Sequence, residues 1–175
     1  MLQRENCEKR NIVLIGMPAS GKSTVGVILA KILGMDFIDT DIVIQQRENS
    51  RLNEIIERYG TDEFLKKEEQ ALLNLKVSNT VIATGGSAVY SEKGMDHLKR
   101  EARVIYLKVE LDNLKKRLRD IKQRGVVLKA GESFEKMFEI RSKLYKKYAD
   151  IVIAEEDASI EDTVQAVIRK IEESE

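Results

Sequence analysis

Several residue types are scarce in this chain, and each scarcity excludes a class of protein. Cys7 is the single cysteine among 175 residues, which excludes an internal disulfide and a thiolate metal cluster. With one proline and ten glycines, the chain has no Pro/Gly-rich linker, and this favours a single domain over residues 1–175. No apolar run approaches the roughly 20 residues of a membrane-spanning helix. Residues 1–11 are polar and lack the apolar segment of a secretory signal.

The chain also lacks net charge, because its 30 basic residues are balanced by 30 acidic ones. This balance provides no general attraction for nucleic acid or for an anionic membrane, and we expect neither as a partner. A lone cysteine favours the reducing cytoplasm as the location. We expect a monomer that binds small molecules. His97, the only histidine, lies in a charged helical stretch and is expected to be solvated rather than catalytic.

Short apolar runs alternate with longer amphipathic segments, an order typical of βαβ units around a parallel sheet. The predicted strands lie at 12–15, 36–39, 80–84, 104–108 and 151–154. The predicted helices lie at 22–33, 42–48, 52–76, 92–100, 111–123, 133–148 and 160–173. Ser159 with Asp162 resembles a capping box at the start of the last helix. The sequence therefore predicts an α/β fold with a five-stranded parallel sheet and helices on both of its faces.

The segment from Gly16 to Ser23 fits the pattern G-x-x-x-x-G-K-[ST] of a phosphate-binding P-loop. An apolar run precedes it, and residues 24–33 follow with apolar positions at helical spacing. Backbone N–H groups and the positive end of the helix can then surround phosphates. Lys22 can follow the β- and γ-phosphates, and the Ser23 hydroxyl can ligate Mg²⁺. A glycine-rich turn without a ligand is the alternative. The predicted nucleotide site comprises Gly16, Ala19, Ser20, Gly21, Lys22, Ser23 and Thr24.

Two acidic residues follow the second predicted strand. Asp39 and Asp41 flank Thr40, and the alternation of strand side chains would turn both toward the edge where ligands of α/β proteins collect. One carboxylate can hold a metal through a water, and the other can accept a proton from an attacking hydroxyl. The structural alternative is that Asp41 caps the helix that begins at Ile42.

Motifs of other nucleotide-hydrolysing classes are absent from the sequence. Neither the D-x-x-G switch nor the guanine-reading N-K-x-D of GTPases occurs. The strand at 80–84 runs into Gly85, Gly86 and Ser87, without the Asp-Glu pair expected of an ATP-driven motor. A small kinase acting on a soluble molecule remains. Residues 124–132, with two glycines and no clear period, are predicted to form a mobile lid, the alternative being a passive connection.

The ordered motifs of the chain resemble those of shikimate kinases from end to end. The matching segments are G-M-P-A-S-G-K-S-T-V-G at 16–26, F-I-D-T-D at 37–41, A-T-G-G at 83–86 and R-x-x-L-Y-x-x-x-A-D at 141–150. Gly60, Phe64 and Glu68 match G-x-x-x-F-x-x-x-E, and Arg117 and Arg124 match an arginine pair seven apart. The resemblance implies a three-layer α/β/α P-loop fold with strand order 2-3-1-4-5, a helical substrate-binding insert at about 42–76 and a lid at about 124–132.

The resemblance also implies roles in a Mg²⁺-dependent phosphoryl transfer from ATP. Lys22 would stabilise the transferring phosphoryl group, and Ser23 with Asp39 would hold Mg²⁺. Arg124 would swing with the lid onto the phosphates. Arg117 would stack on the adenine ring.

Four further matches concern the acceptor. Asp41 would bind the acceptor hydroxyl and activate it. Gly85 and Gly86 would present backbone N–H groups to the substrate, which their lack of side chains permits. Arg141 would bind the substrate carboxylate, for which a planar guanidinium is a suitable donor.

Three positions depart from the family pattern. Leu65 stands where F-R-x-x-E has an arginine, which would be a second ligand of the carboxylate. Ser87 replaces the third glycine of G-G-G, and Gly125 replaces the lid proline. Lys66 or Lys67 could compensate for the arginine. Shikimate is the expected acceptor. The alternatives are another small hydroxylated metabolite, such as a sugar acid or an amino-acid alcohol, and a nucleotide-binding regulatory protein with vestigial activity.

Overall fold

The computed structural model describes residues 11–118, 126–129, 131–155 and 158–174. Within these residues the strands are β1 (Asn11–Ile15), β2 (Asp36–Asp39), β3 (Thr80–Ala83), β4 (Ala102–Val109) and β5 (Ile151–Glu155). The helices are α1 (Lys22–Leu33), α2 (Thr40–Glu48), α3 (Leu52–Tyr59), α4 (Thr61–Leu73), α5 (Glu92–Glu101), α6 (Leu111–Arg117), α7 (Phe134–Tyr148) and α8 (Ile160–Glu172). A short 3₁₀ turn covers Ala88–Tyr90. None of the helices in these described ranges combines the length and the apolar character that a bilayer span requires.

The strands form one parallel sheet in the order β2-β3-β1-β4-β5, which confirms the predicted topology. β1 is central, with Val13 paired to Ile82 of β3 and to Val104 of β4. Every residue of β1 is buried, so the strand appears in the sequence as a continuous apolar run. Its carboxyl end leads directly into the P-loop, which places the loop at the ligand-binding edge of the sheet.

Two apolar clusters cover the two faces of the sheet. Val13 and Ile15 of β1 pack in the cluster that contains residues of α5 and α7. Ile12 and Leu14 pack in the other cluster, with residues of α1 and α8. Successive residues of a strand point to opposite faces, and for this reason β1 contributes to both clusters. The prediction of helices on both faces is therefore confirmed.

The segment between β2 and β3 differs from its prediction. Residues 52–76 were expected to form one helix, but α3 and α4 meet at Gly60, where φ is 82° and ψ is 168°. Residues with side chains rarely adopt this conformation, so glycine permits the break. Ile44, Ile55 and Phe64, one from each of α2, α3 and α4, form a third apolar cluster beside the sheet edge.

Three other predictions need comment. The helix expected at 111–123 ends at Arg117 in its described part, and the remainder from 119 lies outside the described residues. Arg124 of the predicted lid lies outside them as well. The prediction that His97 is solvated was wrong, because its ring is partly buried and its Nε2 lies 2.9 Å from the carbonyl oxygen of Leu75.

Candidate active site

A cavity of about 510 Å³ opens at the carboxyl edge of the sheet. The P-loop, the start of α2, the turn after β3, helix α7 and residues 126–127 all contribute to its wall. It brings together the predicted site residues Lys22, Ser23, Asp39, Asp41, Gly85, Gly86 and Arg141. These residues come from widely separated parts of the chain, and parallel strand order is what makes their strand ends neighbours.

The Lys22 side chain folds back over the P-loop. Its Nζ donates to the carbonyl oxygens of Gly16 and Met17, both at 2.8 Å, and to Ser20 Oγ at 3.3 Å. Burial lowers the pKa of Lys22 to about 8, against the opposing effect of the Asp41 and Asp39 carboxylates. The ammonium group is therefore still charged at neutral pH and poorly hydrated, a state that favours binding to phosphate oxygens.

The other predicted P-loop residues divide into two groups. Ala19, Gly21 and Thr24 line the cavity. Gly16 and Ser20 instead accept hydrogen bonds from Lys22 and so hold it in place.

Asp39 connects the P-loop to α2. Its Oδ2 accepts a hydrogen bond of 2.6 Å from Ser23 Oγ, and its Oδ1 accepts from the backbone N–H groups of Asp41 and Ile42 at 2.9 and 3.4 Å. Asp39 is thus the N-cap of α2, and the alternative that gave this role to Asp41 is wrong. The helix begins at Thr40, two residues earlier than the start at Ile42 that the alternative required.

Asp41 lies in the first turn of α2 and lines the cavity. Its convergence with Asp39 comes from the strand-to-helix turn and not from strand alternation, which was the expected reason. Burial raises the pKa of Asp41 to about 6, with a further contribution from the Asp39 carboxylate, while Lys22 acts against it. The carboxylate is then a stronger base than an ordinary aspartate, which suits proton acceptance near neutral pH.

The lack of a side chain at Gly85 leaves room for two carboxylates, while its backbone N–H is not a free hydrogen-bond donor. A Cβ at this position would overlap Glu68 Oε1 and would lie 2.7 Å from Asp41 Oδ1. The Gly85 N–H donates to Thr40 Oγ1 at 3.1 Å, so this N–H group, which was expected to face the substrate, already has an acceptor. The corresponding contact of Gly86 stays a prediction.

Glu68 and Ser87 form a contact that the sequence analysis did not assign to the site. Ser87 Oγ donates to Glu68 Oε2 at 2.6 Å, and only 1% of Glu68 is exposed. Burial raises the pKa of Glu68 to about 7. The sequence contained one signal that Glu68 is buried, namely its spacing of four from Phe64. This spacing places the carboxylate on the same face of the helix as an aromatic residue.

Arg141 projects from α7 into the other end of the cavity and is only 1% exposed. Its Nη2 donates to the carbonyl oxygen of Val127 at 2.5 Å, and its Nε donates to the Tyr90 hydroxyl at 3.3 Å. Its guanidinium carbon also lies 5.1 Å from the centre of the Tyr90 ring. Tyr90, which no sequence motif indicated, therefore fixes the guanidinium beside the cavity.

The remaining predicted cations are distributed as follows. Arg117 is exposed, and its Nη1 donates to the carbonyl oxygen of Ala19 in the P-loop at 3.4 Å. Lys66 pairs with Glu63 at 3.0 Å. Lys67 pairs with Glu48 at 2.9 Å. Neither lysine lines the 510 Å³ cavity, and each is paired with a glutamate, so compensation for the arginine missing at Leu65 stays a prediction.

Comparison with known proteins agrees with this geometry. A family model described as shikimate kinase matches residues 18–172. A shikimate kinase of Clostridium botulinum is 42% identical over 146 residues, which cover 81% of this chain and 86% of the relative. A shikimate kinase of Histophilus somni is 35% identical over 156 residues, with 87% and 89% covered.

Solved structures give the same result. Shikimate kinase from Acinetobacter baumannii, in complex with shikimate, superposes with a TM-score of 0.86 at 28% identity, covering 95% of this chain and 94% of that one. Shikimate kinase from Aquifex aeolicus superposes with a TM-score of 0.80 at 32% identity, covering 93% and 96%. The fold and the arrangement of the motifs are thus shared over nearly the whole chain.

Proposed function

Because the chain belongs to the shikimate kinase family, we propose that it transfers the γ-phosphoryl group of ATP to a hydroxyl of shikimate, giving shikimate 3-phosphate. The observation that carries this proposal is the single cavity that Lys22 and Arg141 both line, with Asp41 also in its wall. A phosphate-binding cation and a carboxylate-binding cation thus share one space with a base. Catalysis in such a site consists mainly of positioning and charge neutralisation.

The nucleotide would occupy the end of the cavity formed by the P-loop. Its phosphates would replace the loop carbonyls as partners of the Lys22 ammonium group. Arg117, which contacts the loop backbone, would lie near the adenine. Arg124 stays a prediction from the sequence as the residue that adds positive charge when the lid closes.

Ser23 and Asp39 fit a magnesium site. Their oxygens are 2.6 Å apart and are hard donors, the type that Mg²⁺ prefers. Among the described residues no group of three or more His, Cys, Asp or Glu side chains could hold a metal. A Mg²⁺ at Ser23 and Asp39 would be held by one carboxylate, one hydroxyl and phosphate oxygens. The ion would neutralise charge on the phosphates.

The acceptor would occupy the end formed by Asp41, Gly86 and Arg141. Arg141 would bind the carboxylate of shikimate, since its guanidinium is held beside the cavity by Tyr90 and Val127. Asp41 would accept the proton of the attacking shikimate hydroxyl. The oxygen of that hydroxyl bonds to the γ-phosphorus of ATP, while the bond between the γ-phosphorus and the β-phosphate oxygen breaks and ADP leaves. Lys22 would stabilise the charge on the transferring group.

The test is ADP release by the purified chain with Mg²⁺ and ATP across a set of acceptors. We expect turnover with shikimate, little with its methyl ester, which lacks the carboxylate, and none with sugar acids or amino-acid alcohols. Mass spectrometry of the product verifies phosphorylation. Turnover of another acceptor alone, or stabilisation by nucleotide without any turnover, would contradict the proposal in favour of the alternatives, which the relatives do not favour.

Three broader features are also part of the proposal. The chain would be a single kinase domain over residues 1–175, with its substrate-binding insert in α2–α4 and its lid at about 124–132. It would act as a monomer in the cytoplasm. Its partners would be ATP and the small acceptor.

A further inference from the structure

Glu68 is a buried carboxylate whose hydrogen-bond partner is a neutral hydroxyl. Ser87 Oγ donates to its Oε2 at 2.6 Å, whereas Oε1 has no hydrogen-bond partner in the described part of the chain. Within the same residues no cation forms an ion pair with it. A buried carboxylate without a cation is costly, so the serine hydroxyl is its main stabilising contact.

Glu68 of α4 and Arg141 of α7 approach two neighbouring residues of the turn after β3, Gly85 and Gly86. A Cβ at Gly85 would overlap Glu68 Oε1, and a Cβ at Gly86 would lie 3.2 Å from Arg141 Nη1. The positive charge of Arg141 lowers the pKa of Glu68 and so opposes the rise that burial causes, although the two side chains do not form an ion pair. Among the described residues, two arginines line the cavity, Arg51 and Arg141, and Arg51 is exposed. The buried arginine of the cavity wall, Arg141, therefore lies close to a buried acid.

Helix α4 offers no cation to this acid. Leu65, three residues before Glu68, lines a small cavity of about 160 Å³ together with Glu68, Ser87 and Tyr90. Lys66 also borders that cavity, but its ammonium group pairs with Glu63. A basic side chain at position 65 of α4 would therefore be able to contact the Glu68 carboxylate.

We propose that Ser87 is a positioning residue of the acceptor site, because its hydroxyl holds Glu68 away from Arg141 and leaves the guanidinium available to an anionic acceptor. Without that hydroxyl, the Glu68 carboxylate turns to Arg141, a buried cation whose charge already acts on it, and neutralises it. This inference rests on the proposed function in one respect: the acceptor carries a carboxylate.

The test is a comparison of Ser87→Ala and Ser87→Gly with the unmodified chain. Both variants raise the KM for shikimate about tenfold, while kcat and the KM for ATP change less than twofold. In the Leu65→Arg background the Ser87→Ala effect falls to less than threefold, because the new guanidinium holds Glu68. It also disappears in the Glu68→Gln background, because a neutral amide cannot neutralise Arg141.

Ser91 provides a matched control. Its Oγ donates to Glu69 Oε2 at the same distance of 2.6 Å, and Ser91 lines the small cavity but not the 510 Å³ one. Ser91 Oγ also accepts from the Gly94 N–H as the N-cap of α5. Ser91→Ala therefore lowers thermal stability but leaves the KM for shikimate unchanged. An equal rise of that KM in Ser87→Ala and Ser91→Ala would show a general structural effect and overturn the inference.

Failure of the inference and failure of the proposed function give different results. If the unmodified chain phosphorylates shikimate and Ser87→Ala has an unchanged KM, the inference is wrong and the function stands. If the unmodified chain does not phosphorylate shikimate, the function is wrong. A crystal structure of Ser87→Ala then decides the inference: an ion pair between Glu68 and Arg141 supports it, and Glu68 unmoved against Gly85 overturns it.

Discussion

The two ends of the main cavity differ in how their charged groups are partnered. At the nucleotide end, Lys22 has three acceptors, and Asp39 accepts hydrogen bonds from one hydroxyl and two backbone N–H groups. At the acceptor end, the acids are the partly buried Asp41 and the buried Glu68, whose pKa values are raised to about 6 and about 7. The contacts of Lys22 are therefore formed within the P-loop and Asp39 adds one contact from the end of β2, whereas the acceptor end depends on residues brought from several elements.

Substitutions at the two ends should therefore have different effects. Contacts within one loop are formed wherever the loop forms, so changes there should affect nucleotide chemistry with little effect on acceptor choice. Under the proposed function, contacts between α4, the turn after β3 and α7 would determine which acceptor binds. Changes in those elements should alter the KM of the acceptor before they alter catalysis.

The largest expected effect is the loss of kcat when the reactive group at either end of the cavity is removed. Lys22→Ala and Asp41→Asn should each lower kcat by about 10²–10⁴-fold while the fold is retained. Asp41→Asn should leave ATP affinity unchanged, because Asp41 is assigned to the acceptor hydroxyl. Steady-state kinetics and calorimetric ATP titration measure the two quantities. Loss of ATP binding in Asp41→Asn with an unchanged acceptor KM would reverse the assignment of Asp39 and Asp41.

A smaller effect is expected at Leu65. Leu65→Arg should lower the KM for shikimate about tenfold, since it adds a second cation at the acceptor end with Glu68 three residues later as its partner. Leu65→Met, which keeps an apolar side chain of similar volume, is the control and should change the KM less than twofold. A fall of kcat/KM in Leu65→Arg would instead show that the apolar residue is part of the substrate pocket.

The smallest effect concerns stability and tests the buried acid directly. Burial raises the pKa of Glu68 from an ordinary 4.5 to about 7, so the folded chain binds the proton more tightly than the unfolded chain. Stability should therefore fall as the pH rises from about 4.5 to about 7, and this loss should be absent in Glu68→Gln. The variant should gain about 1–3 kcal/mol relative to the unmodified chain between pH 4 and pH 8, measured by urea unfolding. A constant difference across this range would show that Glu68 is not the titrating group.

Elements whose signals are local could be predicted without the structure. The predicted helix at 22–33 and strand at 36–39 agree with α1 and β2 residue for residue, and β1 differs from its prediction by one residue. Hydrophobic period and the P-loop motif both act over a few neighbouring residues, so they can be recognised without tertiary contacts. The P-loop motif indicated Lys22 and Ser23, and the end of the predicted strand at 36–39 indicated Asp39 and Asp41. Arg141 was indicated by the family resemblance alone, and the fold brings all five residues to one cavity.

The partner of each buried charge, by contrast, depends on contacts between distant parts of the chain. Ser87 and Glu68 are 19 residues apart and Tyr90 and Arg141 are 51 apart, and no local pattern specifies either contact. The break at Gly60 was missed because the amphipathic pattern continues into α4, while the glycine's positive φ is visible only in three dimensions. A buried polar group must find a partner wherever the packing allows, so its partner depends on the whole fold and not on its sequence neighbours.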